Sequence, residues 1–169
     1  MLNGIFRKSQ SVAAVLLISI GVAGEPNAQN VSPILRLQVD PARDRIWILT
    51  RSGVDIYNFK TQKRTGHVSL PDWHWAGEPF GCSPELALGP RGEALISSDV
   101  VPTIWRVDPA TLAVSRHELA LDEDADKDVG FSGLAYSAEQ GVWFAVSCFH
   151  GSLWRIDPSL RRAQKMSKS

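Results

Sequence analysis

The sequence predicts an all-β fold of about three four-stranded antiparallel blades, and the first reason is a repeated string. Residues 103–109 read Thr-Ile-Trp-Arg-Val-Asp-Pro, and residues 152–158 read Ser-Leu-Trp-Arg-Ile-Asp-Pro, 49 positions later. A looser copy at 53–58 precedes the first by a similar step. After the N-terminal segment, no stretch keeps helical apolar spacing over three turns. Units of about 50 residues with four strands each predict β-propeller blades, either part of a propeller or a ring completed by oligomerisation.

Each repeat contains four short runs rich in β-branched, aromatic and alternating residues, which we name strands A to D. Asp-Pro pairs mark the turns after strand C, because Pro fixes φ and Asp hydrogen-bonds the backbone two residues on. The strand-C tryptophans, Trp105 and Trp154, are predicted to lie in the core between blades. The predicted strands are 34–39, 45–50, 54–59 and 65–70 in the first repeat, 85–88, 93–97, 103–107 and 113–119 in the second, and 131–136, 141–146, 153–156 and 163–166 in the third.

The first 24 residues have the features of a secretory signal peptide. Arg7 and Lys8 give a positive start, an apolar run of about 11 residues follows, and small residues precede Glu25. A cut after Ala28 and a membrane anchor are the alternatives, but spanning a bilayer takes roughly 20 apolar residues. We therefore predict a periplasmic or secreted protein with no membrane span after cleavage. Its predicted parts are a signal peptide at 1–24, a tail at 25–33 and a three-blade domain at 34–169.

Charge and composition narrow the function classes. The chain has 18 basic and 18 acidic side chains, and removing the leader takes away two basic ones, which leaves about −2. This balance argues against a nucleic-acid partner. The 44% hydrophobic content is sufficient for a packed core.

Two cysteines, Cys82 and Cys148, are compatible with one disulfide in an exported protein. Cys82 begins strand A of the second blade, and Cys148 falls in the B-to-C loop of the third, on the same predicted face. A bridge that clamps adjacent blades is one interpretation, and two free thiols are the other. Cys148 with His150 would also suit a nucleophile and base, or soft-metal ligands. The spacing fits no zinc or haem-attachment motif.

The candidate binding residues lie in loops. In a propeller, the D-to-A and B-to-C connections emerge on one face around the central channel. The first D-to-A loop, 71–81, holds Trp73, His74, Trp75 and Glu78. Aromatic side chains supply stacking area, and histidine supplies a proton acceptor or a metal ligand. The alternative is that both tryptophans cover the blade edge as a lid. The B-to-C loops add Asp99 and His150 to the candidate ligand-binding residues.

The second D-to-A loop, 122–130, is acidic. Asp124, Asp126 and Asp128 alternate as in the first half of a calcium loop. The full calcium-loop pattern fails, because the glycine comes one position late and Ala135 stands where a glutamate is expected. A divalent cation such as calcium is therefore one interpretation, and a solvated acidic loop without any cofactor is the other.

The second repeat resembles a known family of repeats. The stretch 84–95, Pro-Glu-Leu-Ala-Leu-Gly-Pro-Arg-Gly-Glu-Ala-Leu, is similar to the opening of YVTN-type and NHL-type propeller repeats, and 45–50 resembles the YVTN strand. This resemblance implies an extracytoplasmic binding protein or a six-bladed lactonase-like enzyme. Such lactonases hold a divalent metal at the channel through side chains from several blades, and Asp99 and Glu78 stand near suitable positions. The chain lacks an acidic residue at the start of its first strand A and an Asn in any B-to-C loop.

Three blades do not close a ring, since propellers have typically 4 to 8. The chain would be a truncated relative of a longer propeller, or two copies would form a homodimer that completes six blades. Without an evident catalytic set, we predict a non-enzymatic binding or scaffold module for a protein or small-molecule ligand. The alternatives are a metal-assisted hydrolase or lactonase using Glu78, Asp99, His74 and Asp126, and a non-functional remnant.

Overall fold

The protein is described by a computed structural model, which covers residues 33–77, 82–122, 130–147 and 149–166. Within these ranges the regular elements are β-strands and one 3₁₀ turn at Pro41–Arg43. The predicted all-β class with propeller-type blades is confirmed. The strands are β1 Ile34–Asp40, β2 Arg45–Thr50, β3 Gly53–Asn58, β4 Lys63–Val68, β5 Leu86–Leu88, β6 Ala94–Ser97, β7 Thr103–Val107, β8 Val114–Glu118, β9 Ala120–Leu121, β10 Gly133–Ser137, β11 Val142–Ser147, β12 Ser152–Ile156 and β13 Arg162–Lys165.

These strands form three sheets that follow the repeats. Blade 1 has the order β1-β2-β3-β4, blade 2 the order β5-β6-β7-β8, and blade 3 the order β10-β11-β12-β13. All neighbours within each set of four pair antiparallel. The predicted strands A to D of each repeat are therefore successive strands of one meander.

Blade 3 has a fifth strand, which the sequence analysis did not predict. The two-residue strand β9 follows blade 2 but pairs in parallel with β13, joining Ala120 to Arg162 and Leu121 to Ala163. The Ala120 amide donates to the Arg161 carbonyl at 2.8 Å. The segment after blade 2 thus covers the outer edge of blade 3, a protection that exposed sheet edges need.

Two apolar cores lie between the blades. We call the face of a blade toward the preceding blade its front face, and the other its rear face. The rear face of blade 1 and the front face of blade 2 share one core, which includes Trp47, Ile56 and Trp105. The rear face of blade 2 and the front face of blade 3 share the other, which includes Ile104 and Trp154. All five side chains are 0–1% exposed, so both strand-C tryptophans are core residues as predicted.

The turns after strand C are built as their Asp-Pro pairs predict. An oxygen of Asp108 accepts hydrogen bonds from the amides of Ala110 and Thr111 at 2.9 and 2.8 Å. Asp157 accepts the Ser159 amide at 2.8 Å. These donors lower the pKa of Asp108, with the Thr111 amide the largest cause. For Asp157, burial raises the pKa but the donors outweigh it, and the pKa is lowered.

The predicted signal peptide and nearly all of the predicted tail lie outside the described residues. The described part of the chain contains no helix with the length and apolar character that crossing a bilayer requires.

Candidate functional site

Three buried polar residues, Ser97, Ser98 and Asp99, stand where strand B of blade 2 passes into its B-to-C loop. They are 0%, 0% and 4% exposed, respectively. Buried polar groups are costly unless they are hydrogen-bonded, so their partners show what this position holds in place. We call these three residues the loop anchor.

The loop anchor binds the first D-to-A loop at three successive points. The Trp73 indole donates to the Ser97 carbonyl at 3.0 Å. The Ser98 hydroxyl donates to the His74 carbonyl at 2.6 Å. The Ala76 amide donates to an Asp99 carboxylate oxygen at 3.0 Å. The Trp-His-Trp segment is therefore fixed to blade 2 through its own backbone and one indole.

The same anchor holds the end of the second D-to-A loop. The Phe131 amide donates to the Ser98 carbonyl at 2.6 Å, and the Ser97 hydroxyl donates to the Phe131 carbonyl at 2.7 Å. Gly130 lies against the backbone of Asp99 so closely that a Cβ atom would overlap the Asp99 carbonyl group. The first D-to-A loop and the described end of the second thus meet at one B-to-C loop.

The two tryptophans of the first loop have different environments. Trp73 is half-buried and packs against the core between blades 1 and 2, so it serves as a lid. Trp75 is also half-buried, and the guanidinium of Arg51 lies 5.3 Å from its ring centroid. This cation–π contact joins the B-to-C turn of blade 1 to the loop. Trp75 and Arg51 therefore lie together where the two loops meet.

His74 is exposed between these two tryptophans. Its Nδ1 lies 2.5 Å from the Asp72 carbonyl oxygen. Because a carbonyl only accepts, Nδ1 carries the proton and neutral His74 keeps its lone pair on Nε2. A histidine in this tautomer can accept a hydrogen bond from a ligand or coordinate a metal through Nε2.

Asp99 is a buried carboxylate that accepts hydrogen bonds from backbone amides. Burial raises its pKa, and the hydrogen bonds from the backbone amides of Ala76 and of Asp99 itself oppose the rise without cancelling it. The group is therefore a weaker acid than an exposed aspartate. Its position, buried under the loop, suits holding the loop better than meeting a ligand.

Only some of the remaining predicted site residues lie within the described part of the chain. Glu78, Asp124, Asp126, Asp128 and Cys148 lie outside the described residues. His150 is exposed in the B-to-C loop of blade 3. Cys82 is disulfide-bonded, but its predicted partner Cys148 is outside the described ranges, so that pairing stays a prediction.

No set of three His, Cys, Asp or Glu side chains in the described ranges is arranged to hold a metal ion. The described pockets also lie elsewhere. One of about 310 Å³ is lined by β12, β13 and Asp122, and one of about 260 Å³ by residues between blades 2 and 3 that include Tyr136 and Trp143. Neither is lined by a predicted site residue.

Sequence reasoning missed Arg51, Ser97 and Ser98. Arg51 stands in a short turn and gave no signal beyond its charge. The two serines directly precede the predicted Asp99. The sequence feature that could have indicated them is a pair of small hydroxyl residues at the end of a strand. Their role depends on loops that are distant in the sequence, with Ser98 bonded to His74 and Ser97 to Phe131.

Comparison with known proteins identifies the fold alone. No family model and no curated protein matches the chain. Among solved structures, a catalytically inactive virginiamycin B lyase from Staphylococcus aureus with quinupristin matches at a TM-score of 0.61 and 13% identity, covering 83% of this chain and 43% of that one. Hydrazine synthase of Kuenenia stuttgartiensis matches at 0.55 and 17%, covering 85% and 38%. An extracellular domain from B. thetaiotaomicron matches at 0.54 and 16%, covering 80% and 16%.

These neighbours are propeller-type proteins, which agrees with the blades described above. The chain spans less than half the length of each of them. At identities of 13–17% the likeness shows a propeller-like fold and assigns neither activity nor ligand.

Proposed function

We propose that this chain is an exported binding module of the propeller type, and that its ligand meets the loop face formed by Arg51, His74 and Trp75. The observation that carries the proposal is the loop anchor, since three buried polar residues fix a loop whose outer residues are an exposed histidine and a tryptophan beside an arginine. Binding gains from groups that are already ordered. A ligand with a planar or apolar part for Trp75 and a donor for His74 Nε2 fits this chemistry.

A thermal-shift screen tests the binding site. The full chain is screened against amino acids, organic acids, oligosaccharides and short peptides. We expect a compound that raises the melting temperature of the wild type, and a much smaller rise in His74→Ala and Trp75→Ala. Gln140→Ala, in an exposed A-to-B turn of blade 3, is the matched control and keeps the full rise. Hits that stabilise all variants equally contradict the proposed site.

A metal-assisted hydrolase is the competing proposal. It is supported by His74, whose Nε2 is left available by the contact of Nδ1 with the Asp72 carbonyl, and by the carboxylate of Asp99 beneath the same loop. Against it, Oδ1 of Asp99 already accepts a hydrogen bond from the Ala76 amide. The further candidate ligands Glu78 and Asp126 lie outside the described residues. Stoichiometric calcium or zinc in the purified protein would favour the hydrolase. A metal-free protein with no thermal shift on adding either ion would favour the binding module.

Export is part of the proposal. The extracellular origin of one propeller-type neighbour is compatible with a periplasmic or secreted chain of the YVTN or NHL type. The direct test is the N-terminal sequence of the protein recovered from the periplasm or medium, which we expect to begin at Glu25. Retention of the leader in the cytoplasm would contradict it. A product that is folded and monodisperse would in turn argue against a non-functional remnant.

A further inference from the structure

We propose that the front face of blade 1 receives the rear face of blade 3 from a second copy of this chain, head to tail. The two end faces of the three-blade array have no blade against them within the described chain, whereas the internal faces are covered. The two internal interfaces show which residues a covered face carries, so the end faces can be compared with them position by position.

The rear face of blade 3 repeats the apolar positions of the covered rear face of blade 2. Strand pairing makes Phe144 the equivalent of Leu95, and Leu153 the equivalent of Ile104. Leu95 and Ile104 are 1% and 0% exposed against blade 3, whereas Leu153 is 42% exposed. The neighbouring Val146 on this face is also 42% exposed. This face therefore keeps apolar side chains at two positions that are covered in blade 2, and leaves Leu153 largely exposed.

The front face of blade 1 matches the covered front face of blade 2 in the same way. Leu37 pairs with Ile48 as Leu86 pairs with Ile96. Leu86 and Ile96 are both 0% exposed, whereas Leu37 is 50% exposed. Val39 adds to the same face at 49% exposed. Contiguous apolar faces of this kind mark interaction surfaces.

One position on the front face differs and remains compatible with burial. Asp55 pairs with Ile48 where Trp105 pairs with Ile96, so a carboxylate replaces the core tryptophan. Within blade 1 this carboxylate already has two partners, since Arg64 forms an ion pair with it and Nδ1 of His67 lies 2.7 Å from it. A paired charge can be covered at much lower cost than an unpaired one. The face thus carries no unmatched charge that would exclude a partner blade.

A second copy is the occupant that both faces fit. The described part of the chain presents one uncovered front face and one uncovered rear face, and its internal interfaces join a front face to a rear face. Two chains related by this contact bring six blades together, within the range of 4 to 8 that closes a propeller. Chains with the same fold are more than twice as long as the matched part of this one, which agrees with a ring that three blades do not complete. Contacts between unlike faces form closed rings when the rotation closes.

Native mass spectrometry and light scattering of the full chain, expressed with export, test the proposal. We expect twice the monomer mass at micromolar concentration. Leu37→Asp on the front face and Leu153→Asp on the rear face each place a charge in the contact. Each variant should raise the dimer dissociation constant at least about 30-fold. Val100→Asp is the matched control, because Val100 is 39% exposed in a loop outside both faces, and it stays dimeric. A monomeric wild type overturns the proposal.

Mixing the two variants tests whether unlike faces meet. Leu37→Asp keeps an intact rear face and Leu153→Asp an intact front face, so an equimolar mixture of the two monomers forms a mixed dimer through one sound interface. Differently tagged chains report it by mass. A dimer joined through two front faces would behave otherwise, since Leu153→Asp alone would remain dimeric. That result, or a mixture that stays monomeric, would overturn the head-to-tail arrangement. Circular dichroism confirms that both exposed-site variants remain folded.

Discussion

Replacing Trp105 by alanine should remove a large part of the stability of the three-blade array. The side chain is 0% exposed between blades 1 and 2, and its indole donates to the Pro71 carbonyl at 2.7 Å. A tryptophan buries about 150–250 Å². At about 25 cal/mol per Å² this is about 4–6 kcal/mol. Measured Trp-to-Ala losses of about 3–5 kcal/mol are consistent with that range.

The hydrogen bond to Pro71 adds a smaller contribution that a second variant separates. Trp105→Phe keeps most of the apolar contact and leaves the Pro71 carbonyl without this donor, which costs about 1–2 kcal/mol. Trp105→Ala loses both, and we expect about 4 kcal/mol. Because whole domains are stable by only about 5–15 kcal/mol, the alanine variant should unfold at a much lower urea concentration.

Urea denaturation followed by far-UV circular dichroism measures both losses, since this signal comes mainly from the peptide groups of the strands. Trp75→Ala is the control, because Trp75 is half-buried in a loop rather than enclosed between blades. Its loss should stay below about 1 kcal/mol. If Trp105→Ala also loses less than about 1 kcal/mol, the placement of this residue between two blades is wrong.

Four further predictions concern the loops, the turns and the disulfide. Gly130→Ala would overlap the Asp99 carbonyl and should lose about 2 kcal/mol or more in urea denaturation, whereas Gly77→Ala, whose nearest neighbour atom would be 3.5 Å away, should change little. Because the pKa of Asp99 is raised in the folded state, its protonated form stabilises the fold below pH 3.8, and this stability is lost as the pH rises through the folded pKa. Asp99→Asn should therefore have a higher melting temperature than the wild type at pH 7. The lowered pKa of Asp108 gives stability above pH 3.8 that is lost as pH falls through its folded pKa, so Asp108→Asn should melt lower at pH 7 and approach wild type in acid. Reductant should lower the melting temperature, because Cys82 is disulfide-bonded, and an unchanged value would contradict a stabilising bridge.

The sequence was sufficient for the blades because their pattern is local and repeated. The step between Trp105 and Trp154 placed strand C in two blades, and the alternation along each strand placed the core. Strand β9 could not be predicted, since two residues carry no periodicity and their partners at Arg162 and Ala163 lie about 40 positions away. A pairing of that kind depends on where blade 3 sits after blade 2 has formed.

The loop face was only half predictable for a related reason. Residue type indicated the candidates Trp73, His74 and Trp75, but not which of them would be covered. Trp73 became a lid because its indole reaches the Ser97 carbonyl, while Trp75 met Arg51 from another blade. Which tryptophan is covered depends on contacts between segments 20 or more residues apart. The local sequence pattern does not predict such contacts.

The loop anchor also explains why a polar cluster, rather than apolar packing, holds this face. Ser97, Ser98 and Asp99 bond to backbone groups of both D-to-A loops, and loops carry amides and carbonyls that a sheet does not satisfy. An apolar replacement at Ser98 would leave the His74 carbonyl without this donor. The replacement should therefore destabilise the loop more than the blades. The anchor therefore couples the order of the candidate binding loop to the end of a core strand. We expect Ser98→Ala to increase amide hydrogen exchange at 73–76 while the exchange of β6 and β7 stays unchanged, and equal changes in all of these segments would show that the anchor stabilises the blade instead.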